Sequence, residues 1–167
     1  MRAGKLVLGG KSPVARSARP AGSVVLAGLA AMAAALLATG TAVAGEKFTV
    51  VERALTDAVA NVGTTRGDAP GNVLTFVNPV FDAANRLQLG TDQGYCVRVA
   101  PGRSWECTWT LLLKDGQINC AGPFLDAGDS DLVVTGGTGR YAGVRGTLHL
   151  HARDAKGSAY DFRYELL

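Results

Sequence analysis

Between Tyr160 and Leu166 every second residue is apolar: Tyr160, Phe162, Tyr164 and Leu166 alternate with Asp161, Arg163 and Glu165. A two-residue period sorts apolar and polar side chains onto opposite faces of a strand, whereas a helix would spread both sets around its circumference. The same period recurs at Leu148, Leu150 and Ala152, between Thr147, His149, His151 and Arg153, and at Phe48 and Val50, between Thr49 and Val51. Further strands are expected at 73–77, 95–99, 104–113, 117–121 and 131–135. Only 54–62 shows a helical apolar period, and weakly.

Turn formers separate these runs: Gly67-Asp68-Ala69-Pro70-Gly71, Pro101-Gly102, Asp115-Gly116, Gly136-Gly137-Thr138-Gly139 and Lys156-Gly157. Asp-Gly between two apolar runs is a strong hairpin signal. Eight or so short strands at this spacing predict an all-β chain, an antiparallel barrel or sandwich. A closed barrel would leave no exposed edge.

The first 44 residues follow a different pattern. Arg2, Lys5, Lys11, Arg16 and Arg19 precede an uncharged Ala/Leu/Val stretch that ends at Ala42-Val43-Ala44. A basic start, an apolar middle and a small-x-small end describe a helical secretory signal peptide, cleaved after Ala44. Residues 45–167 then form one domain, secreted and free of the membrane. The uncharged run is also long enough to serve as an uncleaved anchor. The whole chain has 17 Lys+Arg against 14 Asp+Glu. Without the five N-terminal cations the domain is mildly acidic and has no basic cluster, which removes the electrostatic footing for a nucleic-acid partner.

Three cysteines remain to be placed. With Pro101-Gly102 at the centre of a hairpin, Cys96 faces Cys107 across the strand pair, at a separation suited to a disulfide. If Cys107 instead pairs with Cys120, Cys96 is the free thiol. The first register also sets Arg98 against Trp105 on the cysteine face. There Arg98 is either an exterior ornament or a lumenal cation that receives a carboxylate ligand.

Two motifs point elsewhere and fail on context. Residues 132–142 resemble a strand followed by a dinucleotide fingerprint, but the motif needs a helix and a second parallel strand, and only 25 residues follow Ala142. The glycines are expected to form a tight loop. His149 and His151 share a strand face, but no third histidine exists to complete a metal site, so a solvated face is expected and no metal is assigned. No G-x-S-x-G occurs, and neither histidine can be tied to a nucleophile.

A set of segments in fixed order is more specific: Gly71-Asn72-Val73-Leu74-Thr75-Phe76-Val77-Asn78-Pro79, Gly90-Thr91-Asp92-Gln93-Gly94-Tyr95-Cys96-Val97, Asp115-Gly116-Gln117-Ile118, Gly122-Pro123-Phe124 and Val134-Thr135-Gly136-Gly137-Thr138-Gly139-Arg140-Tyr141. The set resembles the allene oxide cyclase-like barrels, and the glycine-rich segment is also similar to dirigent proteins. This resemblance implies an eight-stranded antiparallel barrel with an apolar lumen that binds a small apolar molecule and folds it without a cofactor. It further implies a homodimer or homotrimer. Glu52, in a shifted alignment, and Asn78 match the family's catalytic positions. Asn78, Cys96, Arg98, Trp105, Trp109 and Phe124 are the expected ligand-lining residues, with Phe124 standing where a tyrosine hydroxyl is expected. The activity implied is that of a cyclase, isomerase or dirigent protein. The alternative is a lipocalin-like carrier or a secreted interaction protein.

Overall fold

The computed structural model describes residues 45–167, so the expected signal segment lies outside the described residues. Nine strands follow one another: β1 (Lys47–Arg53), β2 (Ala58–Ala60), β3 (Val73–Asp82), β4 (Gln88–Ala100), β5 (Ser104–Leu113), β6 (Gly116–Leu125), β7 (Ser130–Gly139), β8 (Gly146–Ala152) and β9 (Ala159–Leu166). Every pairing is antiparallel. β3 to β9 pair in chain order, β9 pairs with β1, and β1 pairs with β3, which closes an eight-stranded barrel. β2 adds no ninth stave. It lies along the same edge of β3 as β1, further along, as the continuation of an interrupted strand. Among the described residues no helix forms, including at 54–62.

Alternation decides which side chains enter the lumen. Val50, Leu111, Ile118, Leu132, Val134, Leu148 and Tyr164 are fully or almost fully buried, and they form one apolar core inside the barrel. Each such side chain contributes roughly 1.5–3 kcal/mol of apolar burial. Eight strands enclose little more than their own inward side chains, so the space left over is decided residue by residue. At Gly94, a Cβ would run into the Thr108 carbonyl and the Cβ of Trp109. The missing side chain is therefore what lets the Trp109 indole cross the lumen.

Two local expectations shift. Gly136, Gly137 and Gly139 belong to β7 rather than to a loop. At Gly137 a side chain would strike the carbonyls of Gln117 and Tyr141, so glycine serves close backbone approach here. The β5–β6 hairpin turns at Lys114-Asp115, with Gly116 already paired to Leu113 at a φ of 154°.

Candidate functional site

The barrel's closing seam is where polar groups collect. β1 leaves β3 after Glu52, and β2 takes up the same edge at Ala58. In the gap, side chains replace the missing ladder. The Thr56 hydroxyl accepts from the Val77 amide at 2.8 Å and donates to the Val77 carbonyl at 2.9 Å. Asn78 Oδ1 accepts from the Leu55 and Thr56 amides at 2.9 and 3.0 Å. Asn78 Nδ2 points the other way, donating to Glu52 Oε1 at 2.6 Å and to Asp57 Oδ1 at 2.8 Å. Each polar atom of this fully buried amide is therefore used, which fixes its orientation.

Glu52 is 5% exposed. Burial pushes its carboxyl up to about 7, the Asn78 hydrogen bond pulls it back, and the Asp57 charge raises it again. Asp92 faces Asn78 across the β3–β4 pair and is wholly buried, with neither carboxyl oxygen hydrogen-bonded. Burial first, then the Glu52 charge, lifts it to about 9. At neutral pH Asp92 is thus protonated and Glu52 is near its midpoint, the range in which a carboxyl both gives and takes protons.

Beside this cluster lies a cavity of about 60 Å³. At roughly 10–15 Å³ per water on this measure, it holds a few waters or part of a small organic molecule. Glu52, Cys96, Cys107, Trp109, Leu150 and Phe162 form its buried floor, and Asp57, Leu74, Phe76, Phe124 and Tyr160 form its partly exposed rim. Trp109 stacks on Phe162 at 5.5 Å between ring centroids, and Phe124 meets Tyr160 edge-on at 5.8 Å. Burial raises the Tyr160 hydroxyl to about 12, so it stays a neutral donor.

Of the residues expected from the sequence, Glu52, Cys96, Trp109 and Phe124 line this cavity, and Asn78 stands directly behind Glu52. Cys96 and Cys107 form a disulfide with 4.0 Å between Cα atoms, so the Cys107–Cys120 alternative falls away. Cys120 is the free cysteine, and burial pushes its thiol up to about 12. Arg98 and Trp105 do not line the cavity. They pair one step beyond the disulfide, where the guanidinium lies 3.9 Å over the indole. Arg98 Nη1 reaches both oxygens of Asp126 at 2.7 Å, and its Nε lies 2.7 Å from Asp68, an ion pair not aligned as a hydrogen bond. The protein's own carboxylates occupy the place expected for a ligand's, so Arg98 acts as a clasp between loops.

Asp57, Asp92 and Tyr160 are the members of the site that sequence reasoning missed. Asp92 shares strand parity with Cys96, but its strand was expected to start only at Tyr95, whereas β4 begins at Gln88. His149 and His151 lie on the outer wall, bonded to Asp129 and Asp131 at 2.7–3.1 Å.

No protein-family model matches the chain. Several solved structures are similar to it. A pyocyanin demethylase superposes with a TM-score of 0.61 at 22% identity, over 73% of this chain and 100% of that one. A pterocarpan synthase dirigent protein gives 0.59 at 13% identity, over 72% of this chain and 92% of that one. An exo-specific intermolecular Diels-Alderase gives 0.54 at 14% identity, over 73% of this chain and 98% of that one. At these identities the likeness is one of fold. Residues 45–167 have the allene oxide cyclase-like, dirigent-type barrel fold.

Proposed function

We propose that this protein is an exported barrel that binds a small, largely apolar molecule in the Glu52 cavity and rearranges it by a cofactor-independent cyclisation or isomerisation. One observation carries the reading: a carboxyl titrating near neutrality, oriented by a fully used asparagine, at the floor of an aromatic-lined cavity. In this reading Glu52 is the proton donor or acceptor, and Asn78 is its positioning residue. Trp109, Phe124 and the Cys96–Cys107 disulfide shape the wall that holds the substrate in a reactive conformer. For well-oriented groups such holding contributes several kcal/mol, up to ~7–11. Carbonyl or epoxide oxygens are the groups a protonated Glu52 would polarise. The disulfide supports the exported setting, where such bonds persist. Assembly into a dimer or trimer belongs to the same proposal.

Native mass spectrometry of the protein purified from its own secreting cells, with extraction of bound small molecules, tests the reading. A reproducible co-purifying compound that the protein converts to an isomer is the expected result. A clean unliganded mass across conditions overturns it. The smallness of the cavity favours a second reading, a non-catalytic carrier, which predicts that the compound is released unchanged.

A further inference from the structure

We propose that the ligand of this cavity carries a cationic centre, a protonated or N-alkylated nitrogen on an apolar body, seated against Glu52 and Asp57 beneath the aromatic rim. The inference rests on the reading that the cavity binds a small molecule, and it adds the charge class.

The site has acids without a counter-charge. Glu52 and Asp57 converge on the same amide nitrogen of Asn78, at 2.6 and 2.8 Å. Asp92, wholly buried on the lumen face across from Asn78, has both oxygens unpartnered. Two carboxyls thus share one neutral NH2 donor, and the third has none. Among the described residues, no Lys, Arg or His lines the cavity. The buried guanidinium of Arg98 is committed to Asp68 and Asp126, and Arg53 is bound to Asn85 and stacked on Phe81. A buried carboxylate with no cation is costly, and the cost is lowered either by taking up a proton or by gaining a positive partner.

The remaining wall suits such a partner. Phe76, Trp109, Phe124, Tyr160 and Phe162 line the same cavity as Glu52 and Asp57, packed on one another face to face and edge to face. Aromatic faces beside an anion are how proteins recognise quaternary and protonated amines. An anionic ligand would bring another negative charge to a cavity already lined by Glu52 and Asp57. A neutral apolar ligand would bury the carboxylates further and offer them nothing.

Binding of a cation also has a proton signature. The groups facing Glu52 are Asp57, Asp92, Tyr160 and the neutral Asn78 amide, none of them cationic. A ligand cation favours the charged form of Glu52, so binding expels a proton and tightens as pH rises through about 7.

Three near-isosteric probes separate the possibilities: benzyltrimethylammonium, neopentylbenzene and benzylsulfonate, titrated into the protein. The readouts are the side-chain amide signals of Asn78 and the indole N–H of Trp109. The cation should bind about tenfold or more tighter than the neutral probe, and benzylsulfonate should leave both signals unmoved. Cation affinity should rise several-fold from about pH 6 to about pH 8, with proton release measured by calorimetry in buffers of different ionisation heat. Glu52→Gln should lower cation affinity about tenfold and leave the neutral probe within about twofold. If that variant does not fold, Asp57→Asn at the exposed rim serves the same comparison. Equal or tighter binding of the neutral or anionic probe overturns the charge assignment and leaves the cavity reading standing. Silence from all three probes at both signals overturns both.

Discussion

The side-chain amide of Asn78, on β3, donates to Glu52, on β1, at 2.6 Å, across the seam that closes the barrel. This bond joins fold and site. The atom that orients the buried acid belongs to the same side chain that satisfies the amides of Leu55 and Thr56 where β1 breaks off. Removing it damages both. Asn78→Ala should cost several kcal/mol, since each buried group left unpaired costs about 1–3 kcal/mol. Urea unfolding followed by tryptophan fluorescence checks this, and a loss below about 1 kcal/mol would show that water replaces the amide freely.

Asp92 should make the protein less stable as pH rises. Its folded carboxyl, at about 9, lies far above its ordinary value of 3.8, so the folded state holds the proton more tightly than the unfolded one. Stability from this group is therefore full below about 4 and declines as pH rises toward about 9. Glu52 adds a smaller decline between 4.5 and about 7. Asp92→Asn should flatten the curve and raise stability at pH 8 by an amount on the order of a few kcal/mol. Melting temperatures taken from pH 5 to about 9 would decide it, and an unchanged slope in the variant would remove Asp92 as the source.

The disulfide makes a countable prediction. Folded protein should show no thiol reactive toward a membrane-impermeant reagent, because Cys120 is buried. Under denaturing conditions without reductant it should show one, since Cys96 and Cys107 are paired. Reduction should lower stability by about 2–4 kcal/mol, the usual effect of closing a short loop. Three thiols on denaturation would mean that the bond does not form in the purified protein.

Arg98 holds two loops to the end of the barrel. Arg98→Met leaves Asp68 and Asp126 facing one another's charge without the guanidinium between them. The expected cost is about 1–3 kcal/mol, below that of a fully buried pair because both acids are partly exposed. The effect should be local. Hydrogen exchange should speed up in residues 61–72, where Asp68 also accepts from the Gly102 amide at 2.6 Å, and should change little in β7 and β8.

Which of these features could be read without coordinates follows from their range. The Cys96–Cys107 register was legible because a tight hairpin ties two strands through a turn only a few residues long. The barrel itself was legible from alternation and turn spacing, strengthened by the family resemblance. The β5–β6 turn sits one residue earlier than Asp115-Gly116 implies, which displaces the pairing by two, because Asp-Gly marks a hairpin without saying which of its residues are already paired. The Arg98–Trp105 pairing follows from the same hairpin, but the ion pairs of Arg98 do not: Asp68 lies 30 positions before it and Asp126 lies 28 after it.

Residue order alone determined that this chain makes strands, which faces of them are apolar, and which cysteines a hairpin would oppose. These are local consequences of side-chain period and turn chemistry. Barrel closure decided the rest. Only when β1 meets β3 does Glu52 come against Asn78, and only then does Asp92 lose every hydrogen-bond partner. Burial is a property of the whole ring of strands, and so is the proton affinity it creates. The same closure leaves Glu52 and Asp57 at an aromatic cavity, with Asp92 buried across from Asn78, while Arg98 is held elsewhere by Asp68 and Asp126.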